Sequence, residues 1–227
     1  MDLGTIKALL EADSPRVNCA VHGVVAAQVT WARHGAGHTY AFDDTAAWLA
    51  THCSKSAVHD LLRIAWRTVG AIVTRVVADA EAGSDRFANL RRIGIDEISY
   101  KRGHKYLTVV VDHDSGVLLW AHDGRDTKTL SKFFDRLGED RCARIALVSA
   151  DAAEWIAIVV KARSAHRVGI EAALTHGLSN ARVESVNTNL RLLTRIAFGF
   201  RSPDALIALG MLDLGGLCPP LPGRAGA

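Results

Sequence analysis

Three carboxylates hold positions from which they could act together. Asp96 lies in Ile95-Asp96-Glu97 among apolar residues, Asp151 follows Ser149-Ala150 at the end of an apolar run, and Glu184 stands near the start of a strongly patterned helix. Two aspartates and a glutamate can bind a pair of hard divalent ions about 3.5–4 Å apart. One ion would activate a water or a 3′-hydroxyl, and the other would stabilise the leaving oxygen of an in-line displacement at phosphorus. Oxygen ligands favour Mg2+ or Mn2+ over zinc. On pattern alone a second reading stays open, with Asp96 a structural strand acid and Asp151 a helix cap.

The helix carrying Glu184 starts at about residue 179 or 180. Its apolar positions, Val183, Val186, Leu190, Leu193 and Ile196 or Ala197, are spaced for one buried stripe. Beside that stripe run Glu184, Thr188, Arg191 and Arg195, which places a metal ligand next to two arginines able to contact phosphate. Other candidates carry less. Asp112-His113-Asp114 has metal-binding residue types, but a hairpin turn explains it. Glu97 should point to the opposite face of the strand from Asp96. Cys19 and His22 have half of a zinc-ligand spacing, with no second pair upstream. A structural zinc normally needs four ligands, so zinc is not expected.

The elements that must position the acids can be read from period and punctuation. Arg92–Tyr100, Tyr106–Asp112 and Val117–Ala121 read as three β-strands, joined by turns at 101–104 and 112–116. Asp126 or Thr127 caps a helix over 128–137, with Gly138 just past its end. The apolar run 143–149 reads as a fourth strand, covered on both faces. Three antiparallel strands, a helix and a fourth strand begin an RNase H-like α/β core. The crossover would lay strand four parallel to strand one, bringing Asp96 and Asp151 to one end of the sheet. A helix over 155–163 follows, and 169–177 is a further helical stretch.

Upstream the period is different. Residues 1–41 read as short strand-like pieces at 24–27 and 28–31, broken by Gly23, Gly35 and Gly37. Asp43 or Asp44 caps a helix over 45–51, Ser54 opens a second through about 62, and a third runs from about Trp66 to Ala80. The last two, tightly joined, have the outline of a helix-turn-helix, with a packed helical hairpin as the open alternative. As a recognition helix, the third would offer Arg67, Thr68 and Arg75 to DNA and turn Trp66 and Val69 inward.

Composition bounds these readings. The 227 residues are 49% hydrophobic and 22% charged, which excludes a disordered tail, a collagen-like fibre and a coiled coil. No apolar run of about 18 residues predicts a membrane span, and the start Met1-Asp2-Leu3 has no secretory pattern. The expected location is therefore cytoplasmic, with no membrane partner. Four scattered cysteines fit a reducing compartment. The net charge of +3 is divided unevenly: residues 96–160 are net acidic and 161–227 net basic, a distribution that a metal site beside a polyanion would need and that ordinary scatter of surface charge also gives.

Three segments carry a resemblance to a known family. The first is Arg92-Ile93-Gly94-Ile95-Asp96-Glu97-Ile98-Ser99-Tyr100, continuing through Gly103-His104-Lys105-Tyr106 to Asp112. The second is Asn180-Ala181-Arg182-Val183-Glu184-Ser185-Val186-Asn187, continuing from Arg191 through Phe198-Gly199-Phe200-Arg201. The third is Ser54-Lys55-Ser56-Ala57-Val58 through Trp66-Arg67-Thr68-Val69-Gly70. Nearly the whole chain resembles the ISL3 family of bacterial insertion-sequence transposases. The resemblance implies an RNase H-like DDE core that cuts and rejoins DNA at the element's inverted-repeat ends, self-associating on DNA. Asp96, Asp151 and Glu184 would be its acids in that order, using Mg2+ or Mn2+, and Cys19 and His22 match the second half of an N-terminal zinc module.

The departures from the family pattern set further expectations. The first Cys-x-x-Cys pair of the zinc module is missing. Only 33 positions separate Asp151 from Glu184, and 166–170 is a poor substitute for the family's fifth strand. An internal deletion near 161–166 is the simplest explanation, leaving the core incomplete and its activity impaired. A catalytically inactive DNA-binding remnant is the alternative. The expected order is a zinc-region remnant at 1–41, a helix-turn-helix module at 42–84, a DDE core at 90–201 and a C-terminal tail at 202–227.

Overall fold

The computed structural model describes residues 2–3, 6–7, 11–13, 15–33, 36–101, 103–150, 153–163, 181–196 and 202–223. Asp151, the helical stretch expected at 169–177 and half of the expected deletion point, 164–166, lie outside those residues. The chain divides into two compact units, Met1–Ile72 with Pro219–Ala227, and Val73–Cys218.

In the first unit, two short antiparallel pairs come first: β1 (Asp2–Leu3) with β2 (Ile6–Lys7), and β3 (Arg16–Cys19) with β4 (Gly23–Ala26). Helix α1 (Tyr40–His52) begins earlier than the acid pair suggested. Its cap is Thr39, whose hydroxyl accepts from the Phe42 N–H at 3.1 Å. Asp43 lies instead within the helix, fully buried, 2.7 Å from the guanidinium of Arg33. The ion pair removes Asp43 from the capping role, because a buried carboxylate must be paired. Helix α2 (Lys55–Leu62) is capped by Ser54, which accepts from the Ala57 N–H at 3.2 Å. It ends at Arg63 in a left-handed conformation, and α3 (Trp66–Ala82) starts after three linking residues.

The second unit is built on one four-stranded sheet. Strands β5 (Arg92–Lys101), β6 (Lys105–Asp112), β7 (Leu118–Asp123) and β8 (Leu147–Ala150) lie in the order β7-β6-β5-β8. The first three pair antiparallel and β8 pairs parallel to β5, with Ile95 opposite Ala150. Between β7 and β8 come α4 (Thr127–Leu137), capped by Asp126, and the single turn α5 (Glu139–Cys142). The fourth strand begins at Leu147, not at 143. Residues 143–145 complete the helical turn, their N–H groups donating to the carbonyls of Glu139, Arg141 and Cys142, and the Ala146 N–H donates to the Arg91 carbonyl just ahead of β5.

Side-chain alternation assigns the faces. Ile93, Ile95 and Val110 join Leu130, Phe133 and Phe134 of α4, and Ile156, Val159 and Val160 of α6 (Glu154–Arg163), in one core. The other face of β5 carries Gly94, Asp96 and Ile98. Against it lies α7 (Ala181–Ile196), burying the expected Val183, Val186, Leu190 and Leu193. Residues read as a tail include α8 (Pro203–Asp213), which packs on α7 and β7 and buries Leu206, Ala208, Leu209, Met211 and Leu212. That helix is apolar on nearly every side, so it lacks the one-sided period by which α7 was read.

Candidate active site

The site begins with a glycine. A Cβ on Gly94 would lie 2.3 Å from Cγ2 of Val183, so only a bare backbone lets α7 come this close to β5. Two residues along the strand, Asp96 meets Asn187, one helical turn beyond Val183. The Nδ2 of Asn187 donates to Oδ2 of Asp96, and the backbone N–H of Glu97 donates to Oδ1 at 2.7 Å. Asp96 is thereby held by one donor on each of its carboxylate oxygens.

Asn187 sits within the apolar stripe, 3% exposed, and its Oδ1 is buried with no hydrogen-bond partner. Turning the amide over would set its oxygen against the carboxylate, so the donor toward Asp96 is the stable arrangement. An unpaired buried acceptor costs about 1–3 kcal/mol, and a cation beside Asp96 would relieve that cost. The donor set is all oxygen and fits a hard divalent ion. Glu184 lies one turn before Asn187, a rise of about 4.5 Å along the axis. It is exposed, as are Thr188, Arg191 and Arg195 on the same side of α7. Strand β8 ends at Ala150, opposite the residue that precedes Asp96. Asp151 follows in sequence but is outside the described residues, among which no three His, Cys, Asp or Glu side chains converge as a metal site.

Asn187 escaped the sequence reading. The available signal was an amide on an otherwise apolar stripe, three residues after a candidate acid. Replacing it by leucine, of similar size, is expected to weaken Mn2+ binding about 10–100-fold, the usual scale for residues that orient a metal ligand. Calorimetric titration checks this, and unchanged affinity would remove Asn187 from the site.

The other candidates separate cleanly. Glu97 points to the α4 side and pairs at 3.4 Å with Arg125, itself stacked on Tyr106. Asp112 closes the hairpin turn by accepting from the N–H groups of Asp114 and Ser115, and Asp114 pairs with Arg92. His113, in the same turn, is buried and directed inward. Cys19 and His22 face each other across the β3–β4 turn, Sγ to Nδ1 3.5 Å, and hydrogen bonds from the Val21 and His22 backbone hold the thiol below its ordinary pKa.

On α3, Arg67 is exposed, Thr68 and Arg75 are half-buried and Val69 is fully buried. Trp66 is 42% exposed, not turned inward, and stacks on His59 of α2. At the first position of α3 it lies beyond the apolar stripe begun by Val69 and Ile72.

Comparison with known proteins places the chain in a family. A family model described as "Transposase" matches residues 93–165 and 158–209, and one described as "Helix-turn-helix domain of transposase family ISL3" matches 27–77. The transposase of insertion sequence element IS1557 from Mycobacterium tuberculosis is 42% identical over 366 residues, covering 99% of this chain and 82% of that protein. The chain belongs to the ISL3 family of transposases. A second relative, the transposase of IS1001 from Bordetella parapertussis, is 28% identical over 123 residues, 51% of this chain and 30% of that one. Among solved structures, the catalytic core domain of BIV integrase matches with a TM-score of 0.39 at 14% identity, over 60% of this chain and 87% of that chain. A simian T-cell lymphotropic virus intasome matches at 0.36 and 19%, over 73% and 64%.

As an ISL3 transposase the chain is a DDE enzyme whose helix-turn-helix binds DNA and whose core uses divalent metal. No helix among the described residues is long and apolar enough to cross a membrane.

Proposed function

We propose that this ISL3 transposase binds the inverted-repeat ends of its insertion sequence and cuts and joins DNA there through Asp96, Asp151 and Glu184. The observation that carries the reading is the bond from buried Asn187 to Asp96, which seats the Glu184 helix directly on the Asp96 strand. A pair of Mg2+ or Mn2+ ions, when held by the three acids, supplies activation of the attacking water or 3′-hydroxyl and charge relief at the leaving oxygen. The protein's own residues do the rest. Asn187 and the Glu97 N–H fix the Asp96 carboxylate, while Arg191 and Arg195, on the exposed side of α7 with Glu184, hold the phosphate backbone at the cut. The two ends are brought together by self-association on DNA, in the bacterial cytoplasm. Incubating the purified chain with inverted-repeat DNA and Mg2+ or Mn2+ tests the reading, and equal products from the protein and its Asp96→Ala variant would sink it.

A second observation favours a weakened enzyme. The alignment with the IS1557 transposase spans 366 residues against 227 in this chain, so more than a third of that span has no counterpart here. The two matches to the transposase model overlap at 158–165, which supports an internal deletion at that point. We infer that the missing segment lowers the cutting rate; its extreme is a DNA-binding remnant that occupies element ends without cutting. The Cys19–His22 pair is read as half of a zinc site, too few ligands to hold the ion.

Binding to ends belongs to the helix-turn-helix, with Arg67, Thr68 and Arg75 as its contacts. For Arg67→Ala the slope of log affinity against log salt is expected to fall in magnitude by about 1, the share of one phosphate contact. Fluorescence anisotropy at several salt concentrations measures it; an unaltered slope and affinity would remove Arg67 from the interface.

A further inference from the structure

His113 is the one buried histidine among the described residues, 1% exposed, although it sits in a hairpin turn. Its contacts reach three elements of the site, β5, β8 and α7. Its ring lies against Gly94 of β5, where a Cβ would come within 3.0 Å of Nε2. Its Nε2 is 2.6 Å from Oγ of Ser149 on β8. Its carbonyl oxygen accepts from the guanidinium of Arg182 on α7, which also donates to the Asp114 carbonyl at 3.0 Å. Its own N–H donates to the Arg92 carbonyl at 2.9 Å, fastening the turn to β5.

Gly94, Ser149 and Arg182 share one property. Each stands two residues before one of the proposed acids, Asp96, Asp151 and Glu184. In a strand, residues two apart share a face, so whatever fixes Gly94 fixes the outlook of Asp96. We propose that His113 is a positioning residue: its buried ring ties the β5 segment that carries Asp96 to the β8 segment that leads to Asp151, and its backbone carbonyl anchors Arg182, two residues before Glu184. The inference rests on the reading of Asp96, Asp151 and Glu184 as the catalytic acids.

The chemistry of the ring suits a fixed neutral spacer. Burial pushes its pKa below the ordinary histidine value. Arg182 and Arg92 lower it further, and Asp112 and Asp114 oppose them. The neutral ring has one N–H, and Nδ1 is buried without a hydrogen-bond partner. Placing the proton on Nε2, donated to Ser149, leaves only a bare lone pair unpaired; the other tautomer would strand a donor.

Mn2+ titration of the whole chain by calorimetry, at neutral pH and well below the melting temperature, tests the proposal. Asp96→Asn is expected to abolish binding. His113→Ala and Ser149→Ala are each expected to weaken it on the order of tenfold, while His113→Gln, whose amide N–H can still reach Ser149, stays within about threefold of wild type. Should His113→Ala fail to fold, Ser149→Ala removes the same hydrogen bond from the half-buried partner and decides alone. Wild-type affinity in both His113→Ala and Ser149→Ala, with binding lost in Asp96→Asn, would overturn the role of His113 only. Absent binding in wild type, or full binding in Asp96→Asn, would overturn the assignment of the acids and this proposal with it. Equal losses in His113→Gln and His113→Ala would overturn the hydrogen bond as the means.

Discussion

Gly94→Ala is expected to damage both stability and catalysis, more than any other single methyl group added to β5. The new Cβ would meet Val183 Cγ2 at 2.3 Å and His113 at 3.0 Å and 3.3 Å. Neither neighbour can yield cheaply. Val183 is 2% exposed and, as a β-branched residue in a helix, has essentially one rotamer; His113 is enclosed. The helix must therefore move, taking Glu184 and Asn187 with it. Overpacking of this kind costs about 1–3 kcal/mol, a fall in Tm of roughly 2–12 °C for a chain of this size. A displacement of about 1 Å at a reacting centre can cost about 100-fold in rate, so cleavage is expected to fall further than stability alone accounts for. The double variant Gly94→Ala/Val183→Ala should recover part of the rate, because the second change removes the colliding methyls. Strict additivity of the two losses would show that the contact is not what matters.

Asp96→Asn is expected to separate binding from chemistry. The change removes a negative charge while keeping shape. An amide oxygen can still accept from the Glu97 N–H, so the fold should persist with a Tm close to that of the parent. Affinity for inverted-repeat DNA should change little, since it comes from the helix-turn-helix and the arginines. The cleavage rate under single turnover is expected to fall by at least about 1,000-fold, equivalent to about 4 kcal/mol of transition-state stabilisation. A loss of rate accompanied by an equal loss of DNA affinity would point to a structural role for Asp96 instead.

The residues that made the site legible in sequence were those in regular, one-sided elements. Asp96 in an apolar strand and Glu184 on an amphipathic helix were placed correctly on β5 and α7, and the parallel pairing of β5 with β8 followed from the helical crossover between them. What escaped did so for identifiable reasons. Helix α8 is buried nearly all round and shows no period. Thr39 took the cap because Asp43 was drawn into a buried pair with Arg33, a contact ten residues away that no local pattern contains. Ala143, Arg144 and Ile145 run into the strand without a break in sequence, but the turn of α5 claims their N–H groups. Asn187 and His113 are buried polar residues whose side-chain hydrogen-bond partners, Asp96 and Ser149, lie far away in sequence. Gly94 was visible only as a break in an apolar run, and its function depends on a helix nearly ninety residues later.

The central claim, that Asp96 binds the divalent ion that drives DNA cleavage, is tested most directly by changing the kind of metal it can hold. The variant Asp96→Cys offers a soft thiolate, which Mg2+ avoids and Mn2+ accepts more readily. Cleavage of inverted-repeat DNA by this variant should be detectable in Mn2+ and absent in Mg2+, while the unchanged protein cuts in both. Cleavage by Asp96→Cys at the unchanged protein's rate in Mg2+ as well as in Mn2+ would contradict the account.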